Sequence, residues 1–105
     1  MIAGFSFGGY VSLFTAQHHK PDLLLLMGPA VGMYKHPEPQ APDAAKTLLI
    51  HGETDEVVPL QHAFDWAAPQ DIAVLVLPQS SHFFHSKLIT LRQTILRFAP
   101  AILNA

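Results

Sequence analysis

The rhythm of apolar and polar positions changes several times along this chain, and each change marks an element. Ile2 and Ala3 read as the end of a strand, followed by a glycine-punctuated turn over residues 4–9. From residue 10 to 20 the spacing becomes helical, with Tyr10, Leu13 and Phe14 on one face. Pro21 closes that helix, because proline drives the residue before it out of the helical region. Residues 23–27 form an unbroken apolar run, the mark of a strand buried on both faces, and Gly28-Pro29 stops it. Residues 31–45 carry Pro37, Pro39 and Pro42 among scattered polar positions and read as a loop or short irregular insert. A second buried strand covers residues 47–50. Pro59 suits the first turn of a helix that covers Leu60, Ala63, Phe64 and Ala67. A third Val- and Leu-rich run spans 72–77. The last helix is expected over 84–98, with Leu88, Leu91, Ile95 and Phe98 on one stripe.

Apolar strands alternating with helices predict an α/β fold, a parallel sheet with flanking helices. The pattern holds no internal repeat and no domain boundary. The chain has 105 residues, half of them hydrophobic and 13% charged, which places it among globular proteins. Its net charge of −2 lacks the basic footprint of a nucleic-acid binder. With no cysteine, disulfides, thiolate metal sites and cysteine nucleophiles are excluded. No apolar run approaches the roughly 20 residues a membrane span needs. The apolar N-terminus has no basic segment before it and reads as part of the fold. A cytoplasmic location is the resulting expectation, with no nucleic-acid and no membrane partner.

Three segments carry residues suited to chemistry. Gly4-Phe5-Ser6-Phe7-Gly8-Gly9 matches G-x-S-x-G, placed directly after a strand and before a helix. A serine at so tight a turn sits in strained backbone geometry. Small residues two positions to either side let strand and helix approach, and the helix dipole favours developing negative charge. The second segment, residues 51–59, follows a buried strand and holds three acids at the carboxyl end of the sheet, where sites of open α/β sheets form. Asp55 is the best placed to orient a histidine. Glu53 and Glu56 are expected to face solvent or to cap the next helix. The third segment is residues 80–85, where His82 can reach the serine as a general base. His85 follows it, but no zinc-binding frame accompanies the pair, and neither metal nor cofactor is expected. The other histidines, His18, His19, His36, His51 and His62, are assigned to surfaces and loops.

The order Ser6, Asp55, His82 is that of the α/β-hydrolases. Over nearly the whole chain, up to about Phe98, the sequence resembles the C-terminal half of such an enzyme. More narrowly, it is similar to small bacterial hydrolases of the dienelactone-hydrolase and CocE/NonD-like groups. The resemblance rests on residues 4–10, 51–58 and 82–85. It implies that Ser6 is the nucleophile, Asp55 the acid and His82 the base, with the backbone N–H of Phe7 as one oxyanion donor. One departure is Gln79-Ser80-Ser81 where the histidine loop of the family often has a glycine. The resemblance also implies a single partial α/β-hydrolase domain over residues 1–105 that starts at the nucleophile elbow, with the N-terminal strands missing. The second oxyanion donor would belong to that missing part.

Two functions follow as expectations. One is hydrolysis of a small-molecule carboxylic ester, or an amide or thioester, through an acyl-serine intermediate, weak or absent in the short chain alone. The other is a non-catalytic remnant or interaction module that self-associates, or takes a partner chain, through an open sheet edge. The short insert argues against a large lid. Phe5, Phe7, Phe83 and Phe84 are candidates for an apolar acyl pocket, with core packing expected for at least half of them.

Overall fold

The computed structural model describes residues 1–105. Strand β1 (Ile2–Phe5) leads into helix α1 (Phe7–His18), then strand β2 (Leu24–Met27). A long irregular segment ends in a short 3-10 turn (Ala44–Lys46) and feeds β3 (Thr47–Gly52). Helix α2 (Leu60–Ala67), strand β4 (Val74–Leu77) and helix α3 (Leu88–Leu103) complete the chain. The four strands lie in sequence order, β1-β2-β3-β4, and every pair is parallel.

Alternation along the strands sorts side chains to the two faces. Leu24, Leu26 and Leu49 pack on one face against Leu13 and Ala16 of α1 and Ala63, Trp66 and Ala67 of α2. Leu25, Leu48, Ile50 and Leu77 pack on the other against Phe84 and Ala99, with Leu91, Ile95 and Ile102 of α3 beside them. Because β2 and β3 are covered on both faces, Leu24–Met27 and residues 48–50 are apolar without alternation. The proline-containing segment takes the place of a crossover helix between β2 and β3. Its Val31, Ala41 and Ala44 join the α1/α2 core, and the Trp66 indole N–H donates to the carbonyl of Pro39 at 3.2 Å.

The expected elements are present with shifted ends. Helix α1 begins at Phe7, immediately after Ser6, three residues before the periodicity becomes visible. The last helix begins at Leu88, not at residue 84, because Phe84 and Ser86 adopt left-handed φ of 55° and 60° that no α-helix accepts. Its core-facing stripe is correspondingly the buried Ala99 with the half-buried Leu91, Ile95 and Ile102, while Leu88 and Phe98 of the expected stripe are 64% and 39% exposed. On α2, Trp66 takes the core position and Phe64 lies outward.

The parallel register puts Phe5 beside Met27, Met27 beside Ile50, and Gly52 beside Leu77. The segments after β1, β3 and β4 therefore emerge together at the carboxyl edge of the sheet. They carry the three groups of chemically suited residues. β1 hydrogen-bonds to β2 only, so its other side is an open edge. No helix is long and apolar enough to cross a membrane.

Candidate active site

Ser6 occupies the single residue between β1 and α1, with φ 55° and ψ −119°. A non-glycine residue is strained there. Its neighbours hold it in place. The Ser6 N–H donates to the Met27 carbonyl at 3.0 Å, and the Ser6 carbonyl accepts from Gly9, Tyr10 and Ala30. Contact requires glycine at residues 4 and 9 but not at Gly8, where a Cβ would meet open space. A Cβ on Gly4 would overlap the Gly8 carbonyl and the Ser12 Oγ, and one on Gly9 would lie 3.0 Å from Pro29. Strand and helix thus meet backbone to backbone, which a larger residue prevents.

The Ser6 Oγ lies 2.8 Å from His82 Nε2, across 76 residues of sequence. His82 Nδ1 lies 2.8 Å from Asp55 Oδ2, across 27 residues. A carboxylate only accepts, so Nδ1 carries the proton donated to Asp55 and Nε2 accepts from the serine hydroxyl. The Asp55 side chain is fully buried and that of His82 nearly so. In such surroundings an ionic hydrogen bond is stronger than in water. The second carboxylate oxygen, Oδ1, accepts the N–H groups of Val57 at 2.9 Å and Val58 at 2.7 Å. Gly28, at φ 52°, passes beside this contact. A Cβ there would stand 3.6 Å from Asp55 Oδ2 and 3.7 Å from His82 Nδ1.

Glu53 and Glu56, expected to face solvent or cap α2, are exposed but fasten the histidine loop. Glu53 Oε1 accepts the N–H of Gln79 at 2.8 Å, and Glu56 Oε2 accepts the N–H of His82 at 3.3 Å. Thr54 adds its N–H and hydroxyl, both donated to the Ser80 carbonyl at 3.0 Å. Gly52 permits this approach, since a Cβ on it would overlap the Ser80 carbonyl. The loop after β3 is thus a bracket for the loop after β4. Gln79, in the segment before His82, has a left-handed φ of 56°, a conformation glycine adopts without strain.

His51 departs furthest from the sequence expectation. It is not on a surface but at the end of β3, wholly buried, with Nε2 2.8 Å from the Val58 carbonyl and 3.3 Å from Asp55 Oδ2. Its place directly before Gly52 at the end of a buried run was the available signal. Of Phe5, Phe7, Phe83 and Phe84, at least half of them expected in the core, only Phe84 is there, at 2% exposure. Phe5 and Phe83 flank His82, with ring centroids 5.1 and 5.0 Å from the imidazole. With Met27, Phe84, Leu88 and Leu91 they line an apolar cleft of about 260 Å³. Phe7 lies on the other flank of Ser6, against Tyr10 and Tyr34. A larger cavity, about 330 Å³, lies at the opposite end of the strands beside Lys20, Asp22, Asp43 and Lys46 and holds none of these residues.

No protein-family model matches the sequence, and no curated protein matches it. Solved structures do. An α/β serine hydrolase without lid from Xanthomonas campestris superimposes with a TM-score of 0.86 at 39% identity, over 98% of this chain and 47% of its own. An α/β serine hydrolase homologue from Coxiella burnetii gives 0.75 at 33%, over 90% of this chain and 46% of its own. The chain belongs to the α/β-hydrolase superfamily. Est1E from Butyrivibrio proteoclasticus shares the fold of this chain, with a TM-score of 0.77 at 17% identity. The chain spans about half the length of the first two structures.

Proposed function

We propose that these residues form the catalytic half of a serine hydrolase acting on carboxylic esters, with Ser6 as nucleophile, His82 as general base and acid, and Asp55 as its orienting carboxylate. The observation that carries this reading is the hydrogen-bonded line from Ser6 Oγ through His82 to Asp55. His82 Nε2 takes the hydroxyl proton as Oγ bonds to the ester carbonyl carbon. The carbonyl π-bond pair moves onto oxygen, forming the tetrahedral oxyanion. Its collapse expels the alcohol, which takes the proton from His82, and leaves the acyl-serine. Water repeats the sequence with the same histidine, releasing the acid and restoring Ser6. Asp55 holds the imidazole in the required tautomer and stabilises its charged form.

The reading assigns Phe7 N–H, at the first position of α1, to the oxyanion, where the positive end of the helix adds to the donor. One oxyanion donor is worth about 10²–10³ in rate. A site working with the Phe7 donor alone is expected to turn over slowly. The exposed rings of Phe5, Phe7 and Phe83 around Ser6 favour an apolar acyl or alcohol group on a small molecule over a charged polymer.

A serine-directed fluorophosphonate tests the assignment. The chain should be labelled at Ser6, and Ser6→Ala should be unlabelled and without activity on p-nitrophenyl butyrate. Labelling elsewhere, or equal hydrolysis by the alanine variant, would overturn it.

The open side of β1 supports a second reading, pairing with a further copy or a partner strand. Met1 at 73%, Phe7 at 56% and Val11 at 43% exposure lie on and after that edge strand. Sedimentation over a hundredfold concentration range should then show association, and a constant monomer would refute it.

A further inference from the structure

We propose that His51 is a positioning residue for Asp55, holding the carboxylate against His82 through a shared N–H. The proposal rests on the reading of Ser6, His82 and Asp55 given above. Hydrogen-bond accounting sets the state of His51. Its Nε2 faces two oxygens that can only accept, the Val58 carbonyl at 2.8 Å and Asp55 Oδ2 at 3.3 Å. Nε2 therefore carries a proton and shares it between them. Its Nδ1 is buried without any partner. A proton on Nδ1 would be a buried donor with nothing to receive it, which is more costly than a bare lone pair. His51 is thus the neutral Nε2–H tautomer, and the ring is read at one edge only.

The Asp55 carboxylate then has four donors. Val57 and Val58 N–H hold Oδ1, while His82 and His51 hold Oδ2. No lysine or arginine lies within ion-pair distance of it. Its charge is balanced by imidazoles and amides, and a further carboxylate, Glu56, accepts the backbone N–H of His82. The His51 bond acts on Oδ2, the oxygen that orients the base. It resists rotation of the carboxylate away from His82. It also draws electron density from Oδ2, so the shared proton stays on His82 Nδ1. The same N–H fastens the Val58 carbonyl, seven residues on, and so closes the loop that carries Asp55.

Two variants and one spectrum test this. In His51→Leu the donor is gone. In His51→Gln an amide N–H is offered at the same number of bonds from Cα. Fluorophosphonate labelling of Ser6 should slow about 10- to 100-fold in His51→Leu, the range expected for one hydrogen bond to a charged group, and recover most of its rate in His51→Gln. A purely structural role predicts no such split between two folded variants. Imidazole ¹H–¹⁵N spectra of the unaltered chain should show His51 protonated on Nε2 alone. Equal labelling of folded His51→Leu, no recovery in folded His51→Gln, or a proton on His51 Nδ1 would each overturn the proposal. If either variant does not fold, the tautomer spectrum decides. If the unaltered chain is not labelled at Ser6, the serine-hydrolase reading fails, and the spectrum still decides the His51–Asp55 bond separately.

Discussion

Replacing Asp55 by asparagine alters one atom at the point where four donors converge. The asparagine carbonyl can keep the Val57 and Val58 N–H bonds that Oδ1 makes at 2.9 and 2.7 Å. The loop should therefore hold its shape. The amide nitrogen then replaces Oδ2 and presents N–H groups to His82 Nδ1 and His51 Nε2. His82 answers by moving its proton to Nε2, so that Nδ1 accepts from the amide. Nε2 then points a proton at Ser6 Oγ, 2.8 Å away, and can no longer take one. A wrong-tautomer base with intact geometry lowers turnover by about 10⁴, which is ~5.4 kcal/mol of transition-state stabilisation. His51 Nε2–H meets a donor in place of Oδ2 and keeps only the Val58 carbonyl, a loss of about 1–3 kcal/mol of stability. The assay is the fluorophosphonate labelling rate of Ser6 beside urea unfolding of the same samples. Asp55→Ala is the control. It also removes the two backbone bonds and should be less stable than Asp55→Asn. Labelling of Asp55→Asn within tenfold of the unaltered chain would refute the assigned roles. So would Asp55→Ala being the more stable of the two.

Other outcomes follow from the same contacts. Gly4→Ala drives a methyl group into the Gly8 carbonyl and Ser12 Oγ, and should destabilise by about 1–3 kcal/mol in urea and suppress Ser6 labelling. Leu49→Ala empties a fully buried site in the central core and should cost about 2–5 kcal/mol, a large share of the roughly 5–15 kcal/mol of a small domain, read as a lowered thermal midpoint. Glu56→Ala removes the acceptor of the His82 N–H at 3.3 Å. It should slow labelling by less than tenfold and leave the urea midpoint within about 0.5 kcal/mol, as expected for an exposed side chain.

Much of this molecule was legible one residue at a time. Gly4 and Gly9 beside Ser6 announce a backbone too crowded for side chains, and the structure places the Gly8 carbonyl and Pro29 against the positions their Cβ atoms would take. The apolar runs at 23–27 and 47–50 announce strands buried on both faces, because a strand with one wet face alternates. Such signals are local, since steric and burial demands act on a residue through its neighbours along the chain. The start of α3 was not legible, because helical periodicity continues through residues 84–87 while Phe84 and Ser86 turn left-handed.

The order of serine, acid and histidine is likewise written in the sequence. Their meeting depends on a parallel register that brings the ends of β1, β3 and β4 to one edge. What only the tertiary structure decided is what the remaining acids and the buried His51 bind. Glu53, Asp55 and Glu56 are chemically alike in sequence. Three-dimensional packing gives them three different donors on one loop, the Gln79 N–H, the His82 imidazole and the His82 N–H. His51 and the other histidines share a side chain, yet burial at the end of β3 beside Asp55 singles it out. Pairing of this kind depends on distance and desolvation between residues far apart in the chain, so it exists only once the sheet has formed.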